Sequence, residues 1–360
     1  MQIVALTVRD AISIVNQDES KVLKSTGIGT GYFQNVIKSN PEMDRLCYIY
    51  AEENGTYLSK LHLVYDTIPL NGKITEFYWA GALTKNEDVL AGPAPAILLM
   101  EAIDLTNRKL LIASYSKKAK PLYKIMKEER MLFPFFQRTL NCTIFYFDTS
   151  LIRRKKHIPV ALRPIVKLGV SCVNVYNYTL LSLKRSICEK KYTAHFPKEL
   201  SEEIVENIDK NMVRDFSSRN GEFFCMLLKS FNRHVLESSA NELKANKTGF
   251  IILIRDIETN QIALLSYCLI NEGIIKIKYI IGREEHDIMT VLFVRLVWLT
   301  IQKKLYGIEV SSEIERTVLR KVLVGCMEHT IIRDKESLST IQIDESLYDF
   351  QAGIGDNIGF

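Results

Sequence analysis

The sequence predicts an α+β protein built of two similar halves, and three observations carry this prediction. Residues 74–126 contain, in order, an apolar strand, a turn-rich loop, an apolar helix, a short strand and a second helix. Ahead of them, Asn54-Gly55 and Asn71-Gly72 are two-residue hairpin turns between strand-like segments, which predicts an antiparallel meander. From residue 201 onward, the same plan is repeated more loosely. Each half should therefore have a mixed, mostly antiparallel sheet flanked by helices.

The elements of the first half follow from periodicity and turn residues. Helical spacing of apolar residues predicts an early helix at 11–23. Strands are then expected at 46–51, 56–67, 73–83 and 109–114, with helices at 95–105 and around Tyr123. The aromatic residues between 133 and 147 should pack in the core of the last strands of this half, and not form an aromatic platform.

The second half begins with Ser201, a favourable helix N-cap, and Glu202 and Glu203 follow in the first turn, where carboxylates favour the positive end of the helix dipole. This helix should run to residue 213. A second meander is expected at 249–255, 262–271 and 274–281, followed by a helix at 287–304, a strand at 306–310 and a helix at 312–327.

Composition excludes several classes of protein. The chain has 360 residues, enough for two domains, and 47% apolar with 25% charged residues is typical of a globular protein. No basic and apolar signal pattern opens the chain, which predicts a cytoplasmic protein. The seven cysteines are scattered without a CxxC pair and should be buried reduced thiols. The six histidines form no cluster, so no metal site is expected.

Positive charge is concentrated between the halves. From residue 153 to residue 198 there are eleven Lys or Arg residues and one acid, a local charge of +10 in a chain of +5. We therefore expect a first domain at 1–150, a basic connector at 151–198 and a second, degenerate domain at 199–360.

Three uses of the connector remain open. Residues 165–183 are apolar but include Lys167, Asn174 and Asn177, which suits an amphipathic segment better than a membrane span. The connector could be a solvated linker with a core helix, could lie on an anionic membrane surface through residues 153–191, or could meet an anionic substrate. No nucleic acid partner is expected, because the basic residues are not interleaved with aromatic residues.

The clearest functional signal is Ser116-x-x-Ala119-x-x-Leu122-Tyr123. With the element order of residues 74–126, it resembles the acyl-CoA-binding half of the GNAT (GCN5-related N-acetyltransferase) superfamily, whose members commonly show Asn-x-x-Ala-x-x-Leu-Tyr. Ser116 stands in place of the Asn. The resemblance covers roughly residues 1–150. It implies transfer of an acyl group from acetyl-CoA, another acyl-CoA or another thioester carrier to an amine.

The resemblance also implies a cofactor loop. Family members lay the coenzyme A pyrophosphate on backbone amides of the helix that follows the fourth strand, where the positive dipole end favours an anion. Their loop, Gln/Arg-x-x-Gly-x-Gly/Ala, corresponds here to residues 89–94. The implied cofactor-binding residues are Leu83, Val89, Leu90, Ala91, Gly92 and Ala94. Because Pro93 and Pro95 have no amide to donate, a helix start used only for packing is the alternative.

Two catalytic residues are implied in the same way. Tyr123 would protonate the leaving thiolate, which requires it to lie within hydrogen-bond reach. Glu76 in the fourth strand is the first candidate for the general base, and Asp66 is the second. A core tyrosine and two surface carboxylates are the alternatives that do not involve catalysis.

The second half resembles a GNAT domain with Gly282-Arg-Glu-Glu-His-Asp287 in place of the phosphate loop. Its three acids repel phosphate, so this half should be a degenerate copy that supplies an acceptor-side wall or a structural lid. Residues 347–350 and 353–356 resemble the tail of GNAT-like proteins of bacterial surface polysaccharide synthesis, which implies an amino-sugar, sugar-nucleotide or cell-envelope acceptor. A Fem-type aminoacyl transferase, which uses charged tRNA, and a non-catalytic GNAT-like binding or scaffold protein are the alternatives.

Overall fold

The computed structural model describes residues 1–39, 42–70, 73–89, 91–113, 115, 118–147, 159, 162–188, 190–212, 220–230, 234–344 and 348. The strands are β1 (Gln2–Thr7), β2 (Leu46–Glu53), β3 (Thr56–Leu70), β4 (Lys73–Lys85), β5 (Leu110–Ile112), β6 (Phe133–Tyr146), β7 (Tyr192–His195), β8 (Thr248–Asp256), β9 (Ile262–Asn271), β10 (Ile274–Gly282), β11 (Gly307–Val310) and β12 (Met327–Ser339). The helices are α1 (Val8–Val15), α2 (Glu19–Thr26), α3 (Thr30–Ser39), α4 (Ala94–Leu105), α5 (Lys120–Glu128), α6 (Arg163–Cys188), α7 (Glu202–Asn211), α8 (Gly221–Ser230), α9 (Ala240–Ala245), α10 (His286–Gln302) and α11 (Glu313–Val322).

The twelve strands form one continuous sheet in the order β1-β2-β3-β4-β5-β12-β6-β11-β10-β9-β8-β7. Pairing is antiparallel except between β4 and β5 and between β10 and β11. The predicted α+β class, with a mixed and mostly antiparallel sheet in each half, is therefore confirmed. The first half, β1 to β6, and the second half, β7 to β12, repeat one plan: a strand, three helices, three strands, a helix, a strand, a helix and a last strand.

The two halves exchange their last strands. β6 ends the first half along the chain but pairs with β11 of the second half, and β12 pairs with β5 of the first half. β6 and β12 also pair with each other over their whole length. Each half therefore has a seven-stranded sheet whose last two strands are shared. In keeping with this exchange, Leu338 of β12 lies in the core of the first half and Phe145 of β6 lies in the core of the second.

Helices cover both faces of each half. In the first half, α1 to α3 pack on one face and α4 and α5 pack on the other. In the second half, α7 and α8 pack on one face, whereas α6, α9, α10 and α11 pack on the other. The helix α10 has buried residues all round, as expected for a helix in the centre of a core.

The structure differs from the sequence prediction in two helices and two strands. The helix predicted at 11–23 is two helices, because α1 ends at Val15 and the Asp18 side chain accepts the Lys21 amide to begin α2. The last helix ends at Val322 and not at 327, where β12 begins. The short edge strands β1 and β7 were not predicted from the sequence.

Candidate functional site

The parallel strands β4 and β5 separate in the first half and leave one edge of β4 open. Their pairing runs from Tyr78–Leu110 to Ala80–Ile112, where β5 ends, while β4 continues to Lys85. A β-bulge follows at once, with Ala82 in the left-handed region at φ 52°. A bulge bends its strand and increases the local twist. Within the described part of the chain, residues 81–85 of β4 thus pair with β3 on one side only and face the opening on the other.

The loop after β4 is held by Asn86. Its backbone amide donates to the Leu58 carbonyl at 2.8 Å, its side-chain amide donates to the Tyr57 carbonyl at 2.9 Å, and its side-chain oxygen accepts the Asp88 amide at 3.0 Å. The residue is itself buried. These bonds attach the loop to β3 and set the path of the chain toward α4.

The start of α4 offers an anion few unpaired amides. Ala94 and Ala96 donate to the carbonyls of Ala91 and Pro93 at 3.0 Å each, and Pro93 and Pro95 have no N–H. The backbone amides of residues 93–96 are therefore either missing or already bonded. The two missing amides are those of Pro93 and Pro95, the residues that depart from the loop pattern to which 89–94 was compared.

The predicted cofactor-binding residues fall into three groups. Ala91 and Ala94 are buried in the core beneath α4, and Leu83 and Val89 pack against that core while half-buried. Gly92 is exposed at φ 49°, with open space where a Cβ would lie. Leu90 lies outside the described residues.

Tyr123 lies on α5 and is buried in the core between the sheet and α4. Burial raises the pKa of its hydroxyl to about 12. Its ring packs against the ring of Tyr115, with the centroids 4.5 Å apart. Ser116, the first position of the sequence motif, lies outside the described residues.

Tyr115 connects this site to the exchanged strand β12. Its hydroxyl donates to the Glu336 carboxylate, which also accepts from Lys127 of α5 at 2.9 and 3.1 Å. Burial acts to raise the pKa of Glu336, but the hydrogen bonds from Tyr115 and Lys127 hold it below the usual glutamate value. A carboxylate of the second half is thus bonded to the ring partner of Tyr123. Glu336 was not found from the sequence, because a single glutamate in a strand has no distinguishing spacing.

Glu76 lies near the beginning of β4 and is exposed. The Tyr65 hydroxyl donates to it at 2.9 Å, and the Arg45 guanidinium lies 3.3 Å from the centre of the Tyr65 ring. Burial, with the bond to Glu76 second, raises the pKa of Tyr65 to about 12. Glu76 shares its face of the strand with Tyr78, which packs against the Tyr123 core. It precedes the last β4–β5 pair by four residues, about 13 Å along the strand.

Asp66, the second candidate base, lies on the opposite face. Its carboxylate accepts the Trp79 indole N–H and the Thr67 amide, both at 2.8 Å. Trp79 belongs to the core on the other side of the sheet from Tyr123. The structure therefore brings Glu76 and Tyr123 to one face of the first half and separates Asp66 from them.

The corresponding loop of the second half is short and tightly bound. Gly282 has φ 116°, and a Cβ there would lie 2.6 Å from the Ala263 carbonyl oxygen, which accepts the Arg283 amide. Glu285 is the N-cap of α10, and Arg283 pairs with it at 3.6 Å. The acidic side chains of Glu285 and Asp287 at the start of α10 disfavour phosphate there.

The connector lies only partly in the described chain. Residues 151–158, which carry four of its basic side chains, are outside it, as are residues 347 and 349–360 of the tail motif. The predicted amphipathic stretch 165–183 lies within α6. No helix in the described part of the chain is long and apolar enough to cross a membrane. In the same part, no cluster of three or more His, Cys, Asp or Glu residues could hold a metal ion. The expectation of buried thiols is wrong for Cys172, which is exposed on α6.

No protein-family model matches the sequence, and no curated protein sequence matches it. Among solved structures, a tandem GNAT protein from the clavulanic acid biosynthesis pathway is 10% identical with a TM-score of 0.51, over 95% of this chain and 99% of that one. An N-myristoyltransferase of Saccharomyces cerevisiae with bound myristoyl-CoA is 11% identical with a TM-score of 0.51, over 96% and 83%. A second structure of that enzyme, with myristoyl-CoA and inhibitors, is 10% identical with a TM-score of 0.53, over 96% and 81%. At these identities the likeness concerns the fold, and this chain has the tandem GNAT fold over nearly its whole length.

Proposed function

We propose that the protein is an N-acyltransferase that moves an acyl group from a thioester donor to an amine acceptor in the first half. The observation that carries this proposal is the open edge of β4 at residues 81–85, beside the separated strand β5. An unpaired strand edge is a template for an extended chain that carries amide groups. The pantetheine arm of an acyl-CoA is such a chain. Two solved structures of matching fold support the proposal: an N-myristoyltransferase that contains bound myristoyl-CoA, and a tandem GNAT protein that is described without AcCoA.

The contrast between the open strand edge and the closed helix start indicates which part of the donor the protein binds. The edge suits the amide-bearing arm, whereas the bonded amides of Ala94 and Ala96 suit a pyrophosphate poorly. Acetyl-CoA, another acyl-CoA and a carrier-bound thioester share the arm and differ in the groups attached at its ends. Contacts along β4 and near Gly92 are therefore expected to contribute most of the donor affinity.

Two side chains take the proposed proton-transfer roles. The amine nitrogen attacks the thioester carbonyl carbon, the carbon–sulfur bond breaks, and the amine loses a proton. Glu76 would accept that proton, directly or through water, and the Tyr123 hydroxyl would give a proton to the departing sulfur. A hydroxyl whose pKa is raised to about 12 stays protonated at neutral pH and is available as the donor.

The proposed acceptor is an amine on a sugar or cell-envelope precursor. An amino sugar, sugar nucleotide or cell-envelope precursor in the cytoplasm follows from the resemblance of residues 347–350 and 353–356, most of which lie outside the described chain. A Fem-type transfer from charged tRNA would use the same face of the sheet. The test of these alternatives is to incubate the protein with labelled acetyl-CoA and each class of amine, and then with aminoacyl-tRNA.

A non-catalytic binding protein is the second candidate, and one observation favours it. The α4 start has lost two amides to proline and uses two others internally, so the usual anchor for coenzyme A is weak. Such a protein would keep the fold and bind no thioester. Donor binding therefore separates the two candidates.

The deciding experiment is a thermal-shift titration with acetyl-CoA, coenzyme A and free pantetheine. A ligand at 100 times its Kd stabilises the folded state by about 2.7 kcal/mol. Variants Gly92→Asp and Gly92→Asn form the matched pair, because both side chains tolerate the left-handed backbone at φ 49° and differ in charge. We expect Gly92→Asp to weaken acetyl-CoA binding more than Gly92→Asn, and pantetheine binding to be unaffected by either. No shift with any of the three ligands would favour the binding protein.

Activity of Tyr123→Phe completes the test. The change keeps the ring that packs on Tyr115 and removes the proton, so the rate should fall by roughly 10²–10⁴-fold while acetyl-CoA still stabilises the protein. Glu76→Gln should behave likewise, and its loss of activity should shrink when the acceptor amine is already deprotonated at high pH. Full activity in both variants would remove these residues from the mechanism.

A further inference from the structure

The helix α6 presents an apolar face to solvent. Ile165, Leu168 and Val175 are each 67% exposed, and Leu183 is 62% exposed. At 100° per residue these four, with Cys172 and Tyr176, project to one side of the helix. We call these six residues the α6 outer face. The helix is 26 residues long, so this face extends for most of about 39 Å.

The opposite side of α6 is fixed to the protein by polar groups. The buried Asn177 side chain donates to the Val324 carbonyl at 3.1 Å and accepts the Val324 amide at 2.9 Å. Asn174 donates to the Phe147 carbonyl at 2.8 Å, and the Lys184 ammonium donates to the Lys321 carbonyl at 2.6 Å. A helix normally turns its apolar side to the core. The inward side of α6 is apolar as well and includes the buried Leu181, so the directional bonds determine which of two apolar sides faces outward.

The charge of α6 and of the segment that contains it is positive. The segment from 153 to 198 carries +10, and within α6 the charged residues are Arg163, Lys167, Lys184 and Arg185, with no acid. Lys184 is bonded on the inward side, so Lys167 and the neighbouring Lys304 are the cations next to the outer face, and a second copy packed there would add to this positive local charge. Like charges so arranged oppose association. An apolar stripe bordered by cations suits an anionic lipid surface, which attracts each basic residue.

A cavity of about 210 Å³ lies at the edge of this face, between α6 and the end of α10. Its lining includes Lys167 and Ser171 of α6 and Lys304 after α10. Lys167 and Ser171 fall between the outer face and the inward side of the helix. With the outer face in the acyl region, this basic hollow would lie at the depth of the lipid phosphates.

We propose that α6 is an interfacial helix that binds anionic phospholipid surfaces through its outer face and the lysines beside it. The helix lies in the plane of the interface, with aliphatic side chains among the acyl chains and Lys167 and Lys304 among the headgroups. The proposal is independent of acyl transfer, because α6 packs on the second half and the open β4 edge lies in the first.

The test is sedimentation of the full chain with phosphatidylcholine vesicles, with and without about one third phosphatidylglycerol. The stripe variant Leu168→Gln/Val175→Gln/Leu183→Gln changes three exposed residues. The control Ile74→Gln/Ile125→Gln/Ile332→Gln removes as many exposed aliphatic side chains elsewhere, which are 67%, 57% and 68% exposed. We expect binding to the anionic vesicles only. The stripe variant should bind at least about 100-fold more weakly, since each aliphatic side chain moved into lipid is worth about tenfold, and the control should bind as the wild type.

The salt dependence of vesicle binding and the effect of removing lysines provide a second test. Binding should fall steeply between about 0.1 M and about 1 M salt, where the Debye length shrinks from about 10 Å to about 3 Å. Lys167→Gln/Lys304→Gln should weaken binding about 25-fold, at about fivefold for each cation. Equal binding to neutral and anionic vesicles, an unchanged stripe variant, or a dimer in light scattering that the stripe variant dissociates would each overturn the proposal.

Discussion

Replacing Glu336 by Gln tests the bond between the exchanged strand β12 and the first half. The carboxylate accepts from the Tyr115 hydroxyl and twice from the Lys127 ammonium, and its side chain is 22% exposed against 29% for Lys127. Gln keeps the shape and one acceptor oxygen. It removes the negative charge and leaves the half-buried ammonium facing a neutral amide.

The magnitude follows from the number and kind of bonds. A hydrogen bond to a charged group is worth about 1.5–3 kcal/mol when buried, and partial exposure reduces this. We expect a loss of about 1–3 kcal/mol in the free energy of unfolding. With an unfolding entropy of about 2.1 cal/mol/K per residue, 360 residues give a change in Tm of about 1.3 °C for each kcal/mol. The midpoint should therefore fall by about 1–4 °C.

The pH dependence of the free energy of unfolding tests the contribution of the Glu336 charge. The pKa of Glu336 is lower in the folded protein than the usual glutamate value, so its contribution is fully present above the unfolded pKa. The contribution is lost as the pH falls through the folded pKa. The difference between the wild type and Glu336→Gln should thus be full at pH 7 and should shrink below about pH 4.5.

Urea unfolding at several pH values measures this difference. The control is Glu128→Gln, the same chemical change in an exposed pair of α5, where Lys124 and Glu128 are 3.7 Å apart. An exposed helical pair is worth about 0.3–0.5 kcal/mol, so this variant should change little. Equal losses in the two variants, or a Glu336→Gln difference that does not depend on pH, would refute the reasoning.

Three further predictions concern other parts of the fold. Burial, with the Lys60 charge second, lowers the pKa of His62 to about 4, so stability should fall as the pH drops from about 6.5 to about 4, and His62→Phe should flatten this dependence in urea titrations. Gly282→Ala should destabilise the protein by about 2 kcal/mol or more in the same assay, because the added Cβ would meet a carbonyl oxygen. Gly169→Ala, whose added Cβ would lie in open space on α6, should stabilise the protein by about 0.4–1 kcal/mol. Residues 1–147 alone should give no cooperative thermal transition as a monomer, because β5 loses its partner β12; a sharp transition for that fragment would contradict the exchange.

Local features of the sequence were sufficient for much of the fold. The Asn54-Gly55 turn set the β2–β3 hairpin, and the structure pairs Glu53 with Thr56 across it. The strand predicted at 262–271 has the observed bounds of β9. These elements are determined by alternation and turn residues within a few positions of each other, so their signal is present in a short window.

Non-local pairing could not be predicted in this way. The sequences of β6 and β12 are compatible both with pairing inside their own half and with the exchange. The tertiary arrangement determines which pairing forms. For the same reason Glu336 could not be recognised as a partner of Tyr115, 221 positions away. The orientation of α6 was also ambiguous, because this helix has apolar residues on both sides and either side could have been buried.

The strand exchange gives the second half a structural role in the first half. Its loop is closed by Gly282 against the Ala263 carbonyl, and its central helix α10 is buried all round, although β10, like β4, continues beyond its parallel partner strand. It nevertheless supplies β12, whose Leu338 completes the core around Tyr123 and whose Glu336 is bonded to the tyrosine that packs on it. A first half deprived of this strand would have β5 unpaired on one side and the proposed site incompletely packed.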